Sequence, residues 1–277
     1  MLENDTNFDD LAERFISRVH QSEKGLLRRR IIERDLRKAF PYFYEDQRQS
    51  DANVALSVCD IGAGAGYFSI LAAQNKHQVI SCELSQKLLK LAQAEAANAD
   101  LDKIINWHHG PFQALQCEAQ DLIFCHGVIE WLSNPDDLFV FLNKHLKKKG
   151  LLSLCFYNPD AAIFSNLLKG NFHRAEQFLE GDSSVMPAPT RAKVKPDKYS
   201  LTPRTPRSIL WVQQRFQQHN LELVAASGIR VFSDYTKVAK GGLAHSDSRH
   251  AMELAMSDQE SFWRLGRYVH LVAVKNE

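Results

Sequence analysis

The stretch that decides the fold runs from Asp60 to Gly66 and reads DIGAGAG. An apolar run typical of a buried β-strand precedes it, and a helical pattern follows it. Three glycines at alternate positions let the backbone bend sharply and let a ligand approach without meeting a Cβ atom. The stretch therefore predicts a nucleotide-binding turn between a strand and a helix, although the glycines alone would also suit a simple turn.

Two common nucleotide-binding motifs are excluded at this turn. A dinucleotide fingerprint needs Gly-x-Gly-x-x-Gly, but the residue three positions after Gly64 is Tyr67. No Gly-Lys-Ser/Thr follows, so the turn is not a P-loop. The form Asp-x-Gly-x-Gly-x-Gly resembles motif I of class I methyltransferases. This resemblance implies that the loop holds the methionine part of S-adenosylmethionine.

Outward from the turn, short apolar runs alternate with helical patterns. This alternation predicts an α/β fold in which helices cover both faces of a mostly parallel sheet. The resemblance implies the Rossmann-like, seven-stranded sheet of class I methyltransferases. Lys149-Gly150 predicts a helix end and a turn before the fifth strand. We expect strands at 54–60, 78–83, 104–109, 121–126, 150–157, 221–232 and 268–274.

The remaining segments are additions to this sheet. Residues 1–50 are predicted to form a helical cap, and 51–277 the methyltransferase domain. An insertion is expected at about 158–208, where prolines and basic residues are frequent, and a smaller one at about 234–263.

Composition narrows the function. The formal net charge of the 277 residues is +1, so binding to a polyanion requires local clusters of charge. The five cysteines form no Cys-x-x-Cys pair, which favours reduced thiols and indicates no metal site. We find no signal peptide and no apolar run long enough to span a membrane. We therefore expect a cytoplasmic protein.

Polar and aromatic residues at the ends of three predicted strands complete a candidate cofactor site. Glu83 ends the second strand, where a carboxylate can accept hydrogen bonds from two ribose hydroxyls. Phe112 and Gln113 follow the third strand, at the place where this superfamily holds adenine. His126 ends the fourth strand, and we interpret it as a ligand contact; the alternative is a partly buried structural histidine.

Segments along nearly the whole chain, from about residue 7 to 275, extend the resemblance. They are Asn7–Asp10, Lys24-Gly25, Arg28, His126–Trp131, Phe156–Asn158, Gly228–Phe232 and Leu265–His270. Together they resemble the bacterial tRNA 5-carboxymethoxyuridine methyltransferases. The resemblance implies methyl transfer from S-adenosylmethionine to the carboxylate of 5-carboxymethoxyuridine at the wobble position, with the tRNA anticodon loop as partner. Cofactor contacts are then expected from Arg28, Gly62, Ala63, Gly64, Glu83, Phe112, Gln113 and His126.

The acceptor chemistry fits the motifs that the sequence lacks. It has neither the Asn/Asp-Pro-Pro-Tyr/Phe signature of amine methylation nor the cysteine pairs of carbon-5 pyrimidine chemistry. A carboxylic acid has a pKa of about 4, so its carboxylate is a nucleophile at neutral pH without a general base. Arg28 suits a salt bridge to the methionine carboxylate. Candidates for positioning the acceptor are Tyr157, Arg204, Arg230 and Arg267.

Two basic stretches are candidate RNA contacts. One is 24–38, and the other is 191–207, with Lys193, Lys195 and Lys198 as the proposed phosphate contacts. The alternative for each is a solvated surface. Two other functions stay open: a small-molecule carboxyl or hydroxyl methyltransferase with the insertion as a lid, and a non-catalytic cofactor-binding protein that associates with RNA.

Overall fold

The computed structural model describes residues 5–44, 55–179, 201, 203, 206–236 and 246–276. Its strands are β1 (Ser57–Ile61), β2 (Gln78–Glu83), β3 (Ile105–His109), β4 (Gln120–His126), β5 (Leu146–Tyr157), β6 (Leu221–Ile229) and β7 (Tyr268–Lys275). Within the described residues they form one sheet, in the order β3-β2-β1-β4-β5-β7-β6. Only β7 runs antiparallel to its neighbours. The expected seven-stranded, mostly parallel sheet is therefore confirmed.

Helices pack against both faces of the sheet. They are α1 (Ala12–Phe15), α2 (Glu23–Ala39), α3 (Tyr67–Gln74), α4 (Gln86–Ala97), α5 (Asp136–His145), α6 (Pro159–Leu168), α7 (Phe172–Leu179), α8 (Ile209–Gln218), α9 (Ser246–Met256) and α10 (Glu260–Trp263). Ser22 begins α2 as its N-cap and accepts a hydrogen bond from the Gly25 amide at 3.1 Å. None of the described helices has the length and apolar character needed to cross a membrane.

The sheet carries a separate hydrophobic core on each face, because successive side chains of a strand point to opposite sides. On β4, Leu122 and Phe124 pack against α2 and α3, whereas Ile123 and Cys125 pack against α5 and α8. Helix α2 is part of the first core. It buries four side chains against the sheet: Leu27, Ile31, Ile32 and Leu36.

The start of β5 differs from the prediction. Helix α5 ends at His145, and β5 begins at Leu146, four residues before the expected start of the strand at residue 150. Leu146 is buried and pairs with Gln120, and the register shifts between Gln120 and Leu122. The expected helix end at Lys149 was therefore wrong, because buried Leu146 already pairs with β4. The backbone does bend before Gly150, where Lys149 has a φ angle of +63°.

The two predicted insertions are described in part. Helices α6 and α7 occupy the first half of 158–208, and α9 and α10 lie within 234–263. Both regions approach the edge where β1, β2, β4 and β5 end. Because β7 is antiparallel, it begins at that same edge, with Tyr268 paired to both Tyr157 and Ile229. Most of the predicted site residues are therefore brought to one edge of the sheet.

Candidate functional site

The glycine loop between β1 and α3 has the geometry that the sequence predicts. Gly62, Gly64 and Gly66 have φ angles of +66°, +58° and +78°, a backbone region that residues other than glycine rarely adopt. A Cβ atom on Gly62 would lie 2.3 Å from Cγ2 of Val128. The loop is also tied to β2, because the Gly62 amide donates to the Cys82 carbonyl at 2.8 Å. The glycines are therefore required by both conformation and space.

Glu83 lies buried at the end of β2 and holds this loop in place. Its Oε2 accepts a hydrogen bond from the Gly64 amide at 2.7 Å, and its Oε1 accepts one from the Ser85 amide at 2.8 Å. Burial raises the pKa of Glu83, while these two amides oppose the rise. Each oxygen keeps a second lone pair, so the carboxylate can still accept from a ligand hydroxyl.

A cleft that is partly open to solvent lies above the loop. Its walls come from the N-terminal segment, the glycine loop, the end of β2 and the turns after β3 and β4. The lining residues are Asp5, Thr6, Phe8, Phe15, Gly62, Gly64, Cys82, Glu83, Leu84, Leu88, Gly110, Pro111, Phe112, His126, Gly127, Val128, Trp131 and Leu132.

Residues 5–9, which we call the N-terminal strap, join the two sides of this cleft. The Thr6 amide donates to the Trp131 carbonyl at 3.1 Å, and Phe8 packs edge-on against the Trp131 ring. On the other side, Asp9 accepts a hydrogen bond from Ser85 Oγ at 2.7 Å. Sequence reasoning missed Phe8 and Phe15 as cleft residues. Phe8 and Trp131 lie in the segments Asn7–Asp10 and His126–Trp131 of the family resemblance, whereas Phe15 lies in neither.

Two residues predicted to contact the cofactor are not among the residues that line this cleft. The Gln113 side chain is exposed and donates to Asp5 at 2.8 Å and to Asp137 at 3.3 Å, so it does not line the cleft. Phe112, its neighbour, is buried and does line it. Ala63 is not among the lining residues either, and its amide donates to the Cys82 carbonyl. The side-chain amide of Gln113 points toward Asp5 and Asp137 because it donates hydrogen bonds to both carboxylates.

His126 ends β4 and lines the cleft, as expected for a ligand contact. Its Nε2 lies 2.8 Å from Ser153 Oγ, and Phe68 packs edge-on against its ring. Nδ1 is enclosed and has no hydrogen-bond partner in the part of the chain that the structure describes. Burial, with a smaller contribution from the charge of Arg28, holds the pKa of His126 well below its ordinary value. The ring is therefore neutral at neutral pH.

Arg28 projects from α2 toward the same edge. Its guanidinium carbon lies 5.8 Å from the centroid of the Tyr268 ring, and its charge acts on His126 and on Glu130. Among the described residues, none accepts a hydrogen bond from Arg28. A partly buried arginine in this state suits an anionic ligand group. Arg28 with the unpartnered Nδ1 of His126 fits the carboxylate and ammonium groups of an amino acid.

A cluster of charged side chains with two arginines lies farther along the edge. Arg267 donates to Asp234 at 2.8 Å and to the Tyr157 hydroxyl at 3.0 Å, and Arg230 pairs with Asp234 at 3.5 Å. Although burial opposes it, the charges of Arg230 and Arg267 hold the pKa of Asp234 below its ordinary value. Three of the four predicted positioning residues thus meet in one cluster. The fourth, Arg204, lies outside the described residues.

The basic stretch 24–38 is partly used within the fold. Arg34 binds Asp35 at 2.7 Å, Lys38 binds Asp258 at 2.7 Å, and Arg37 stacks on the Tyr44 ring at 3.7 Å. These side chains stabilise the packing of α2. Lys193, Lys195 and Lys198 lie outside the described residues. Within those residues, no group of histidine, cysteine and carboxylate side chains could hold a metal ion.

Comparison with known proteins agrees with this geometry. The family model described as "Methyltransferase domain" matches residues 59–154. The chain is 30% identical over 275 residues to the tRNA 5-carboxymethoxyuridine methyltransferase of Escherichia coli (strain K12), covering 98% of this chain and 97% of that protein.

Solved structures share the fold. The magnesium protoporphyrin IX methyltransferase of Synechocystis PCC 6803 superimposes with a TM-score of 0.60 at 13% identity, over 97% of this chain and 96% of that chain. The YcgJ protein of Bacillus subtilis gives 0.52 at 14% identity, over 90% and 99%.

Fold, glycine loop and family model together define an S-adenosylmethionine-dependent methyltransferase of class I. The identity over nearly its whole length goes further. The chain belongs to the tRNA 5-carboxymethoxyuridine methyltransferase family.

Proposed function

We propose that this protein methylates the carboxylate of 5-carboxymethoxyuridine at the wobble position of tRNA and releases a methyl ester, acting in the cytoplasm. The relative from Escherichia coli is named for that substrate. The observation that carries the proposal is the cationic cluster of Tyr157, Arg230 and Arg267 at the same edge as the cofactor cleft. Such a cluster suits a carboxylate acceptor.

The cofactor end of the site is assigned to residues that line the cleft or face it. Glu83 would accept from the ribose hydroxyls, Phe112 would pack on the adenine, and Arg28 would bind the methionine carboxylate. Gly62 and Gly64 leave room for the backbone to approach the ligand. Bound S-adenosylmethionine supplies an activated methyl group on its sulfonium. Gln113 and Ala63 remain predictions, to be tested by substitution.

The acceptor needs orientation more than activation. Its carboxylate is ionised at neutral pH, so no side chain has to remove a proton. Arg267 and Tyr157 can donate hydrogen bonds that fix its position for in-line attack. Asp234 already shares the charge of Arg230 and Arg267, so these arginines would not fully neutralise an incoming carboxylate. This matters because tight binding of the ground-state nucleophile would slow its attack.

The direct test is methyl transfer in vitro. Purified protein and S-adenosylmethionine are incubated with tRNA from a strain that lacks this enzyme, and the nucleosides are analysed by mass spectrometry. We expect the methyl ester to appear as 5-carboxymethoxyuridine disappears. Methylation of free 5-carboxymethoxyuridine but not of tRNA would instead support the small-molecule function. No methylation of either, with intact cofactor binding, would support a non-catalytic protein.

A matched pair of variants tests the role of Arg267 in holding the acceptor. Arg267→Met removes the hydrogen bonds to Asp234 and Tyr157, so kcat/KM for tRNA should fall by about tenfold to a hundredfold, the range of one or two charge-assisted hydrogen bonds. Arg264→Met is the control, because Arg264 lies three residues away, is half exposed and pairs with Glu260. Equal losses in both variants, measured by initial rates, would contradict the assignment.

For RNA binding we propose Lys193, Lys195 and Lys198 as phosphate contacts. Each contact to a single strand contributes about −0.7 to the slope of log affinity against log salt concentration. The triple alanine variant should therefore bind tRNA more weakly and with a slope shallower by about 2. A slope equal to that of the unchanged protein would remove these lysines from the interface.

A further inference from the structure

A buried chain of hydrogen bonds connects α2 to the cofactor cleft through three strands. Asp35 Oδ2 lies 2.8 Å from His270 Nδ1, and His270 Nε2 lies 2.9 Å from Ser153 Oγ. Ser153 Oγ in turn lies 2.8 Å from Nε2 of His126, which lines the cleft. His270 and Ser153 are fully buried, and neither is needed by the contacts assigned above.

Which atoms of this chain carry a proton follows from the ionisation state of Asp35. Burial opposes the charge of Asp35, but the hydrogen bond from His270 and the charge and hydrogen bond of Arg34 hold its pKa below the ordinary value, so Asp35 is ionised. An ionised carboxylate only accepts hydrogen bonds, and therefore the Nδ1 atom of His270 carries a proton. The remaining question is whether Nε2 of His270 is protonated as well.

Charge balance answers that question. Arg34 binds Oδ1 of Asp35 at 2.7 Å and lies 3.8 Å from Asp258, which also binds Lys38 at 2.7 Å, so two carboxylates here already face two cations. A proton on Nε2 of fully buried His270 would add a third positive charge to this cluster. Burying such a charge is costly. His270 is therefore neutral, and its Nε2 accepts.

We propose that Asp35, His270 and Ser153 hold His126 in the tautomer protonated at Nε2, so that Nδ1 accepts a hydrogen bond from the α-ammonium group of S-adenosylmethionine. Ser153 donates its only proton to His270, so its oxygen accepts from His126 Nε2–H. Nδ1 is then a bare acceptor. The positive charge of Arg28 acts on His126, and it favours a lone pair at Nδ1 over an N–H group. The proposal rests on the cofactor and is independent of the methyl acceptor.

The first test reads the tautomer directly in the cofactor-free protein. Full-length chain is labelled with 15N-histidine, and His126 is assigned by the resonances that disappear in His126→Gln. We expect the nitrogen shifts of a ring protonated at Nε2 in the unchanged protein, and a mixture of tautomers in Ser153→Ala. A ring protonated at Nδ1, or no change in Ser153→Ala, would overturn the proposal.

The second test reads the function of that tautomer by calorimetry, without tRNA. S-adenosylhomocysteine is compared with its analogue that lacks the amino group. The unchanged protein should prefer the parent compound, and Ser153→Ala should bind the parent about threefold to tenfold more weakly and lose most of the preference. Preference for the parent over the decarboxylated analogue should stay as it is, because Arg28 is intact.

Ser227→Ala is the matched control. Ser227 is also a buried strand serine that binds the same cluster, accepting from Arg34 at 2.8 Å, but it is not on the path to His126. It should leave both the tautomer and the preference unchanged, and equal effects in the two variants would overturn the proposal. If Ser153→Ala fails to fold, Ser153→Cys, with its weak S–H donor, should give an intermediate preference; an unchanged one would count against it.

Discussion

The sharpest prediction concerns Arg28→Met, which removes a charge while keeping an apolar chain of similar length. In the described residues no group accepts a hydrogen bond from Arg28, so cofactor binding breaks no existing pair. A charge-assisted pair contributes about 1.5–3 kcal/mol, and because Arg28 is only partly buried, solvent screening favours the lower half of that range. At a factor of ten per about 1.4 kcal/mol, the affinity should fall by about tenfold to thirtyfold.

The assay is calorimetric titration of S-adenosylhomocysteine into the purified variants. Arg230→Met is the control, since Arg230 lies 5.7 Å from the Tyr268 ring centroid, against 5.8 Å for Arg28, but is paired with Asp234. We expect its affinity to stay within about twofold of the unchanged protein. Unchanged affinity in Arg28→Met, or the same loss in both variants, would refute the role of Arg28. A decarboxylated ligand should bind Arg28→Met and the unchanged protein alike.

Three further outcomes are expected from thermodynamic measurements. Gly62→Ala should lower the free energy of unfolding by about 2–5 kcal/mol, because the new Cβ atom would be strained and would contact Val128. Gly127 also has a positive φ, but a Cβ atom there would meet no neighbour, so Gly127→Ala should lower it by only about 1–2 kcal/mol. Equal losses in urea unfolding would contradict the contact with Val128. Burial raises the pKa of Glu130 to about 7, so between pH 4.5 and 7 the folded state keeps a proton that the unfolded chain releases. The free energy of unfolding should therefore fall by about 3 kcal/mol over this range. Urea titrations of Glu130→Gln should lack this fall. The lowered pKa of Asp234 has the opposite sign: its stabilisation is present above about pH 4 and lost in stronger acid, so unfolding curves of Asp234→Asn and the unchanged protein should converge there, and a constant difference would contradict the pairing.

Much of the cofactor site could be predicted because it follows from local sequence and strand order. The glycine loop is a property of seven consecutive residues, and Glu83 and His126 occupy the ends of predicted parallel strands. Parallel strands end at one edge, so identifying the strands was enough to bring these residues together. The computed structure places both of them in the wall of the cleft.

The rest depended on partners that are distant in sequence. The direction of Gln113 is decided by Asp5, 108 positions away, and the start of β5 by the burial of Leu146. Arg34 looks like one more exposed base in a charged helix, yet it binds Asp35, Ser227 and Ser257 inside the fold. No periodicity in the sequence carries such information, because it arises from which helix face meets the sheet.

The antiparallel strand explains why the edge has two halves with different chemistry. On the β1, β2 and β4 half, strands end in a glycine loop, a carboxylate and a histidine, which suit a neutral sugar and an amino acid. On the other half, β6 ends where β7 begins, with Ile229 opposite Tyr268. The residues one step beyond this pair, Arg230 and Arg267, must therefore be neighbours, and both reach Asp234. A fully parallel sheet would put the residue before β7 at the opposite edge. The one departure from parallel order thus creates the cationic cluster at which we propose that the carboxylate is held.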